Sequence, residues 1–279
     1  MASHTSLHVG GPADLFLAPA DLHDLATIVA VLQKLQIPYL LLGGGYNMLV
    51  QDKGIRGAVI ALDGLKEMQW LTSHTFSCQA GASNLAVVRF AQSVGMGGIS
   101  FISGVPGTIG GALRMNAGAY GQSILPHVIS LELLRDGNII TLPQQELVYS
   151  YRTLELQHGD IIVGATIQVA PQAMSEIEEE IQKDAELRQT KHCVGYPSAG
   201  SFFKNPQGGA AWKLIDAAGM RGHRCGDAQF SEIHSNFLVN RGQATAKDCL
   251  QLVAEVKQAV LAHTGVLLDE EVRIVGDAS

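Results

Sequence analysis

The chain has 279 residues, of which 47% are hydrophobic and 16% charged, so it is long enough for two domains and apolar enough to fold around buried cores. Its formal net charge of −7, without any run of basic residues, argues against a nucleic-acid partner, because no basic excess is available to release counterions. No apolar run approaches the roughly 20 residues that cross a bilayer, and the four widely spaced cysteines form no metal-ligand pattern, so we expect a cytoplasmic protein with no membrane insertion and no metal site.

The hydrophobic pattern predicts a mixture of helices and strands. Apolar residues at three- and four-residue steps predict helices over 21–36, 85–94, 174–187, 210–218 and 245–263. Short apolar runs predict strands over 39–42, 58–62, 129–134, 139–142, 161–169 and 266–275. Local signals support two of these predictions: Asp136-Gly137 indicates a hairpin, and Thr245 and Asp248 form a capping box. In the helix predicted over 85–94, the apolar period places Leu85 on the inward face.

Residues 104–121, GVPGTIGGALRMNAGAYG, contain six glycines. Glycine contributes little to a packed core, but it permits positive φ angles and a close main-chain approach to a ligand. Thr108 is placed to cap a short helix beginning near Ile109, which would aim main-chain N–H groups at an anion. We therefore expect a phosphate or pyrophosphate partner; a glycine-rich connection between tightly packed elements is the alternative.

A second glycine cluster, residues 43–45, directly follows the strand predicted over 39–42. The sequence contains no GxGxxG, GxxxxGK[ST] or GxSxG motif, which argues against a dinucleotide-binding Rossmann unit, a P-loop and an α/β-hydrolase. The glycine-rich loops together indicate a long phosphate-bearing ligand threaded between two lobes.

Three side chains are candidates for chemistry. Ser201 lies in a glycine turn beside two phenylalanines, Arg152 is flanked by aromatic residues, and Glu271 interrupts an apolar terminal segment. Each also has a structural interpretation, respectively a turn serine, an ion-paired arginine and an exposed strand residue. The residues alone therefore predict a phosphorylated ligand and a carboxylate-bearing substrate, and no more.

Ordered motifs over nearly the whole chain resemble the UDP-N-acetylenolpyruvoylglucosamine reductase family of bacterial peptidoglycan synthesis. The motifs are GGPA at 10–13, GGGYN at 43–47, the stretch 104–121, Tyr151-Arg152, PSAGSFFKNP at 197–206, SEIHSNFLVN at 231–240 and Glu271-Val272-Arg273. Tyr46 departs from the serine that is common in the family. Only eleven residues separate Arg152 from Gly164, which resembles the shorter subtype without an extra lid loop over the substrate.

The resemblance implies an α+β protein with the two-lobed FAD-binding fold of the vanillyl-alcohol-oxidase/PCMH type, which is not a Rossmann fold, plus a small α+β substrate-binding domain. Residues 1–62 with the terminal strand 266–279 would form the first FAD-binding lobe, 63–190 the second, and 191–265 the UDP-sugar domain. FAD would be bound noncovalently, with NADPH as the hydride-donating cosubstrate. We expect a monomer that acts on a UDP-sugar.

The same resemblance assigns residues to the flavin and to the substrate. The implied flavin contacts are Gly43, Gly44, Gly45, Tyr46, Asn47, Gly104, Pro106, Gly107, Thr108, Gly110, Gly111, Asn116 and Gly118. The implied substrate contacts are Tyr151, Lys204 and Asn205.

The reaction implied by the resemblance reduces the enolpyruvyl ether of UDP-N-acetylglucosamine-enolpyruvate to UDP-N-acetylmuramate, with hydride from the reduced flavin N5. Ser201 would supply the proton, while Arg152 and Glu271 would stabilise the negatively charged intermediate, with Glu271 protonated when it acts. A flavin oxidase on the same scaffold and a flavin-binding protein without catalysis are the alternatives. The 197–206 motif argues against the first, and the presence of all three catalytic candidates argues against the second.

Overall fold

The computed structural model describes residues 1–192 and 194–278, with the side chains of 191 and 192 left aside; Cys193 lies outside the described residues. The helices are α1 Leu22–Lys34, α2 Asn84–Gln92, α3 Ile109–Arg114, α4 Met174–His192, α5 Ala211–Ala217 and α6 Ala246–Thr264. The strands are β1 Ala13–Leu17, β2 Tyr39–Leu42, β3 Met48–Val50, β4 Ile55–Ala61, β5 Met68–Trp70, β6 Thr75–Gln79, β7 Met96–Gly97, β8 Val128–Arg135, β9 Asn138–Pro143, β10 Tyr149–Ser150, β11 Thr153–Leu154, β12 Ile161–Gln168, β13 Ala170–Pro171, β14 Ser198–Ser201, β15 Arg224–Cys225, β16 Ala228–Phe230, β17 Phe237–Asn240 and β18 Arg273–Val275.

The elements with local sequence signals are confirmed. β8 and β9 form the predicted hairpin, in which Asp136 (φ 49°) and Gly137 (φ 79°) both adopt the left-handed conformation that a two-residue hairpin turn requires. The capping box of α6 is present, with Thr245 and Asp248 each accepting from the other's main-chain N–H. These signals succeed because the partners are only a few residues apart.

Two predictions of detail are wrong. Leu85 is 45% exposed, because Val87, Val88 and Ala91 form the buried face of α2 instead. The terminal strand predicted over 266–275 is reduced to β18, Arg273–Val275. Upstream of β18 the pairing is irregular, because two successive main-chain N–H groups, those of Glu271 and Val272, share the carbonyl oxygen of Phe202.

The chain forms two compact units, each made of separate stretches. The first unit comprises Met1–Leu15, Gly45–Gly57 and the chain from Gln189; the second comprises Phe16–Gly44 and Ala58–Arg188. This division differs from the three predicted domains, whose boundaries stay a prediction.

The first unit is built on the antiparallel sheet β14-β17-β16-β15. Phe202, Phe203 and Phe230 are fully buried beside this sheet, with the rings of Phe203 and Phe230 stacked at 5.8 Å between centroids. Apolar residues of α5 and α6 belong to the same core. β18 pairs in parallel with β3, which joins the end of the chain to residues 48–50.

The second unit is built on the antiparallel sheet β5-β6-β12-β8-β9. Its core includes a cluster of Trp70, Phe76 and Phe90, in which the rings of Trp70 and Phe90 stack at 5.4 Å. β2 pairs in parallel with β4. Within the described residues, no helix combines the length and apolar character needed to cross a membrane.

Candidate active site

The glycine-rich stretch, residues 104–121, belongs to the second unit and carries the predicted short helix. α3 begins after Thr108, whose hydroxyl accepts from Gly111 N–H at 3.4 Å, so the predicted cap is confirmed. Gly107, directly before this cap, has φ 118°, a conformation that L side chains rarely adopt. A glycine is therefore required where the chain turns into the helix.

Two glycines of this stretch are needed by the protein itself. A Cβ on Gly110 would lie 2.7 Å from Ala80 Cβ, and Gly110 N–H donates to Ala80 O at 2.8 Å. A Cβ on Gly118 would collide with the carbonyl oxygen of Gln122. At these two positions the structure supports tight packing, the alternative interpretation of the glycine-rich sequence.

The surroundings of Gly107 fit a phosphate-bearing ligand. Among the described residues, the N–H groups of Gly107 and Thr108 donate to no acceptor. In the same unit, Asn84 Oδ1 is buried without a hydrogen-bond partner, while Asn84 Nδ2 donates to Val105 O at 2.9 Å. Free main-chain donors suit a phosphate oxygen, and a buried acceptor suits a hydroxyl group; FAD carries both.

The remaining predicted flavin contacts of this stretch lie near its start and on the first turn of α3. Pro106 and Gly111 are exposed, and Gly104 O accepts a hydrogen bond from Arg188. Nothing in their main chain conflicts with the predicted contacts, which stay predictions.

The GGGYN segment, residues 43–47, is divided between the two units after Gly44. A Cβ on Gly43 would lie 2.5 Å from Thr108 Oγ1, so within the second unit the two glycine motifs meet at this threonine. Gly44 is exposed, as is the side chain of Tyr46 at 44%. Gly45 (φ 67°) approaches the main chain of His4 too closely to carry a side chain.

Asn47, predicted as a flavin contact, supports a catalytic candidate. Its Nδ2 donates to the main-chain oxygen of Glu271 at 3.0 Å, and its own carbonyl oxygen accepts from Arg273 N–H at 3.1 Å. Asn47 and Glu271 are 224 residues apart in the sequence, so no sequence pattern could have revealed this contact.

Arg152 lies in the two-residue turn that joins β10 and β11, with φ 57°. Positive φ is uncommon for a non-glycine residue and occurs disproportionately at functional sites. Its guanidinium donates to Gly118 O at 2.9 Å and to Asn116 O at 3.5 Å, and it lies 5.0 Å from the ring centre of Tyr151. Tyr151 itself is 51% exposed. The side chain of Arg152 is therefore hydrogen-bonded to the main chain of the glycine-rich stretch.

Asn116 has its side chain committed to the protein. Its Nδ2 donates to Ser150 O at 3.0 Å, and its Oδ1 accepts from Leu125 N–H at 3.3 Å. The residue is only 4% exposed. Any contact of Asn116 with a flavin would have to use its main chain.

Ser201 ends β14 in the first unit, just after a β-bulge. The pairing with β17 shifts between Ser198 and Ser201, and Gly200 within this irregularity has φ 79°. Ser201 is half-buried, and no described residue hydrogen-bonds to its hydroxyl. The hydroxyl that follows the bulge is therefore without a hydrogen-bond partner among the described residues.

Glu271 is brought next to the Ser201 loop in the same unit. Its N–H donates to Phe202 O at 2.8 Å, and Phe203 forms an isolated bridge with Glu270. The Glu270 side chain accepts from Lys257 Nζ at 2.7 Å. Because neighbouring residues of extended chain point to opposite sides, this ion pair leaves Glu271 on the other side of the segment.

Asn236 was missed by sequence reasoning, although it lies within the 231–240 motif. Its amide is 98% buried and bonds Phe203 twice: Oδ1 accepts from Phe203 N–H at 3.0 Å and Nδ2 donates to Phe203 O at 2.8 Å. Asn236 O also accepts from Phe202 N–H at 2.7 Å. Its place in the 231–240 motif was the signal that the sequence offered.

The two other predicted substrate contacts follow on the Ser201 loop. Lys204 is half-buried, and its ammonium group bonds no described residue. Asn205 Oδ1 accepts from Ala211 N–H at 3.0 Å, so this oxygen caps the start of α5. Only the amide donors of Asn205 are left for a substrate.

Two of the cysteines, Cys78 and Cys249, are buried inside the described part of the chain. Burial raises the pKa of Cys78 and of Cys249 to about 12, which keeps both thiols protonated and unreactive. The described residues contain no cluster of His, Cys, Asp or Glu that could hold a metal ion.

Comparisons with known protein families match two regions of the chain. Residues 13–143 match a family model described as an FAD binding domain, and residues 191–275 match one described as the UDP-N-acetylenolpyruvoylglucosamine reductase, C-terminal domain. The predicted FAD-binding fold with an added C-terminal domain is thereby confirmed.

Curated relatives and a solved structure agree with these models. The chain is 57% identical to the UDP-N-acetylenolpyruvoylglucosamine reductase of Pelobacter propionicus, over 99% of this chain and 94% of that protein. It is 46% identical to that of Geobacter sulfurreducens, over 99% and 92%. The crystal structure of the same enzyme from Thermus caldophilus superposes with a TM-score of 0.81 at 31% identity, covering 98% of this chain and 96% of that one. Full-length identity of this order shows that the chain belongs to the UDP-N-acetylenolpyruvoylglucosamine reductase family of FAD-dependent oxidoreductases.

Proposed function

We propose that this chain reduces the enolpyruvyl ether of UDP-N-acetylglucosamine-enolpyruvate to UDP-N-acetylmuramate with Ser201, Arg152 and Glu271 as its catalytic residues. NADPH is the hydride-donating cosubstrate, and the enzyme acts as a cytoplasmic monomer. The single observation that carries the assignment of Ser201 and Glu271 is the loop geometry of the first unit. There the Ser201 hydroxyl bonds no described residue, and the carbonyl oxygen of the adjacent Phe202 accepts from Glu271 N–H.

Main-chain groups around Gly107 and Thr108 hold the diphosphate of FAD in this proposal. Their N–H groups are at the start of α3, where free donors and the helix dipole favour an anion. Gly43 keeps the Thr108 hydroxyl accessible, because any side chain there would displace it. When bound and reduced by NADPH, the flavin would supply the hydride that the reaction needs.

Arg152 binds the carboxylate of the substrate. Hydride addition to the enolpyruvyl group places negative charge on the carbon next to that carboxylate, so the reaction requires a fixed positive charge. The planar guanidinium can bond both carboxylate oxygens, which a lysine cannot do. Its bonds to Gly118 O and Asn116 O fix the guanidinium before the substrate arrives.

Ser201 transfers its hydroxyl proton to the carbon that becomes negatively charged. A serine hydroxyl is a weak acid, but a carbanion is a strong enough base to accept the proton. The position after the bulge at Gly200 keeps the hydroxyl free of protein partners, so the proton is not held by a competing acceptor.

Glu271 stabilises the same charged intermediate as a neutral acid. An ionised carboxylate would repel the developing negative charge, so the proton must remain on Glu271 during the reaction. Asn47 and Phe202 both bind the main chain of Glu271, which fixes where its side chain starts.

The test is a sequence of absorbance measurements on the purified protein without dioxygen. We expect a yellow flavoprotein that NADPH bleaches and that the enolpyruvyl UDP-sugar restores to yellow, with one product molecule formed for each flavin. A protein that dioxygen reoxidises but the UDP-sugar does not would be a flavin oxidase. A yellow protein that NADPH fails to bleach would be a flavin-binding protein without this activity.

A further inference from the structure

We propose that Asn116 is a positioning residue for Arg152, and that its amide orients the arginine rather than contacting the flavin. The proposal rests on the proposed role of Arg152 in binding the substrate carboxylate. Both residues belong to the second unit, so the argument depends only on contacts within that unit.

The amide of Asn116 joins two segments that both follow the glycine-rich stretch in sequence. Its Nδ2 donates to Ser150 O at 3.0 Å, two residues before Arg152, and its Oδ1 accepts from Leu125 N–H at 3.3 Å. Asn116 is only 4% exposed, so these two hydrogen bonds replace the ones that a free amide would make with water. The buried Asn116 amide is therefore hydrogen-bonded both to residue 125 and to the residue that precedes the Arg152 turn.

The main chain of Asn116 contacts the arginine directly. Arg152 Nη1 donates to Asn116 O at 3.5 Å, and Nη2 donates to Gly118 O at 2.9 Å. Asn116 (φ 40°) and Arg152 (φ 57°) both adopt left-handed backbone conformations, which persist only where surrounding contacts impose them. One asparagine thus holds the Arg152 turn by its side chain and the guanidinium by its carbonyl oxygen.

This arrangement removes much of the freedom of a long side chain before substrate binds. An arginine loses considerable rotamer entropy when it is fixed, and a bidentate bond to a carboxylate tolerates little displacement of its planar fork. If the bond to Ser150 were lost, the turn could relax and the guanidinium would no longer be presented at a fixed position. The expected consequence is weaker binding of carboxylate-bearing ligands, with other ligand groups unaffected.

The test compares two ligands that differ in the carboxylate. In Asn116→Asp, the carboxylate can still accept from Leu125 N–H but cannot donate to Ser150 O. We expect the KM for the enolpyruvyl UDP-sugar to rise about tenfold, the effect of one lost hydrogen bond. The inhibition constant of UDP-N-acetylglucosamine, which has no carboxylate, should stay within about twofold of the wild type. Asn138→Asp, at an exposed asparagine that begins β9, is the matched control.

A double-mutant cycle separates positioning from a general structural effect. In an Arg152→Gln background, Asn116→Asp should add less than a twofold further loss in kcat/KM, because its partner is already gone. Additive losses, or equal weakening of both ligands, would overturn the proposal for Asn116 alone. Wild-type kinetics in Arg152→Gln would instead overturn the role of the arginine in the proposed function.

A second variant guards against failure of the first to fold. Asn116→Gly removes the whole amide but suits the positive φ of this position. It should show the same selective loss for the carboxylate-bearing sugar, with an unchanged flavin content. Loss of flavin with unchanged discrimination between the two sugars would instead mark Asn116 as a cofactor contact and overturn the proposal.

Discussion

The Ser201 loop of the first unit and the glycine-rich stretch of the second use opposite means to present reactive groups. Next to Ser201, the main-chain groups of Phe202 and Phe203 are hydrogen-bonded to Asn236 and to the terminal segment. The Ser201 hydroxyl bonds no described residue. At Gly107 and Thr108, by contrast, the main-chain N–H groups bond no acceptor among the described residues, and Gly107 carries no side chain.

The difference fits what each region binds in the proposed function. A proton donor must lie within hydrogen-bond reach of the atom that it protonates, which a fixed main chain and a hydroxyl without a protein partner favour. A diphosphate is bound by several N–H groups at once, so side chains must be small enough for the ligand to approach the main chain. In the proposed function, the hydrogen-bonded main chain beside Ser201 therefore suits a proton donor, and the unbonded N–H groups at Gly107 and Thr108 suit a diphosphate.

The largest effect is expected from Ser201→Ala. The variant should keep flavin reduction by NADPH but slow transfer to the enolpyruvyl sugar on the order of 10²–10⁴-fold, because it removes the proton donor. Stopped-flow absorbance of the two half-reactions measures this separately. Ser175→Ala, an exposed serine of α4, is the control, and equal slowing of both half-reactions in Ser201→Ala would contradict a role in proton transfer.

Gly110→Ala tests whether the glycine-rich stretch tolerates any side chain. The new Cβ would lie 2.7 Å from Ala80 Cβ in a segment fixed by the Gly110–Ala80 hydrogen bond, so we expect a loss of about 1–3 kcal/mol in the free energy of unfolding. Thermal unfolding and flavin content are the measurements. Gly64→Ala is the control, since a Cβ there meets only Pro19 O at 3.4 Å. Equal stability of the two variants would show that the stretch is not tightly packed.

Asn205→Ala tests whether this residue of the Ser201 loop serves the fold, the substrate or both. Loss of the bond from Ala211 N–H should cost about 1 kcal/mol of stability, the usual value for a helix N-terminal cap. Asn205→Asp keeps the accepting oxygen and should retain that stability. If Asn205→Asp nevertheless raises the KM for the UDP-sugar, its amide donors contact the substrate; an unchanged KM in both variants would contradict the predicted contact.

Glu178→Gln should have the smallest effect and should leave the chemistry unchanged. Hydrogen bonds from Arg89, and then from Gln92, lower the pKa of Glu178 to about 2 on the exposed surface between α2 and α4. A lowered pKa in the folded state stabilises the protein above the ordinary glutamate pKa of about 4.3, and this stabilisation is lost as the pH falls toward 2. The difference in melting temperature between wild type and variant should therefore shrink from pH 6 to pH 2. A constant difference would show that the ion pair adds no stability.

The fold and the family were predictable because their signals are local or ordered along the chain. A hairpin turn at Asp136-Gly137 and a capping box at Thr245 depend on residues a few positions apart, and both are present as predicted. The ordered motifs identified the family, which full-length relatives confirm. Ser201, Arg152 and Glu271 were named from the same motifs, and their roles remain proposals.

The sequence by itself thus determined which segments turn, begin helices and carry the reactive groups. Only the tertiary structure decided what the asparagines of the motifs do. Asn47, predicted as a flavin contact, binds the main chain of Glu271 from 224 residues away, and Asn116 binds that of Ser150 from 34 residues away. An amide can bind a ligand or a carbonyl oxygen equally well, so its sequence neighbours cannot fix the choice; the segment that folding brings within about 3 Å does.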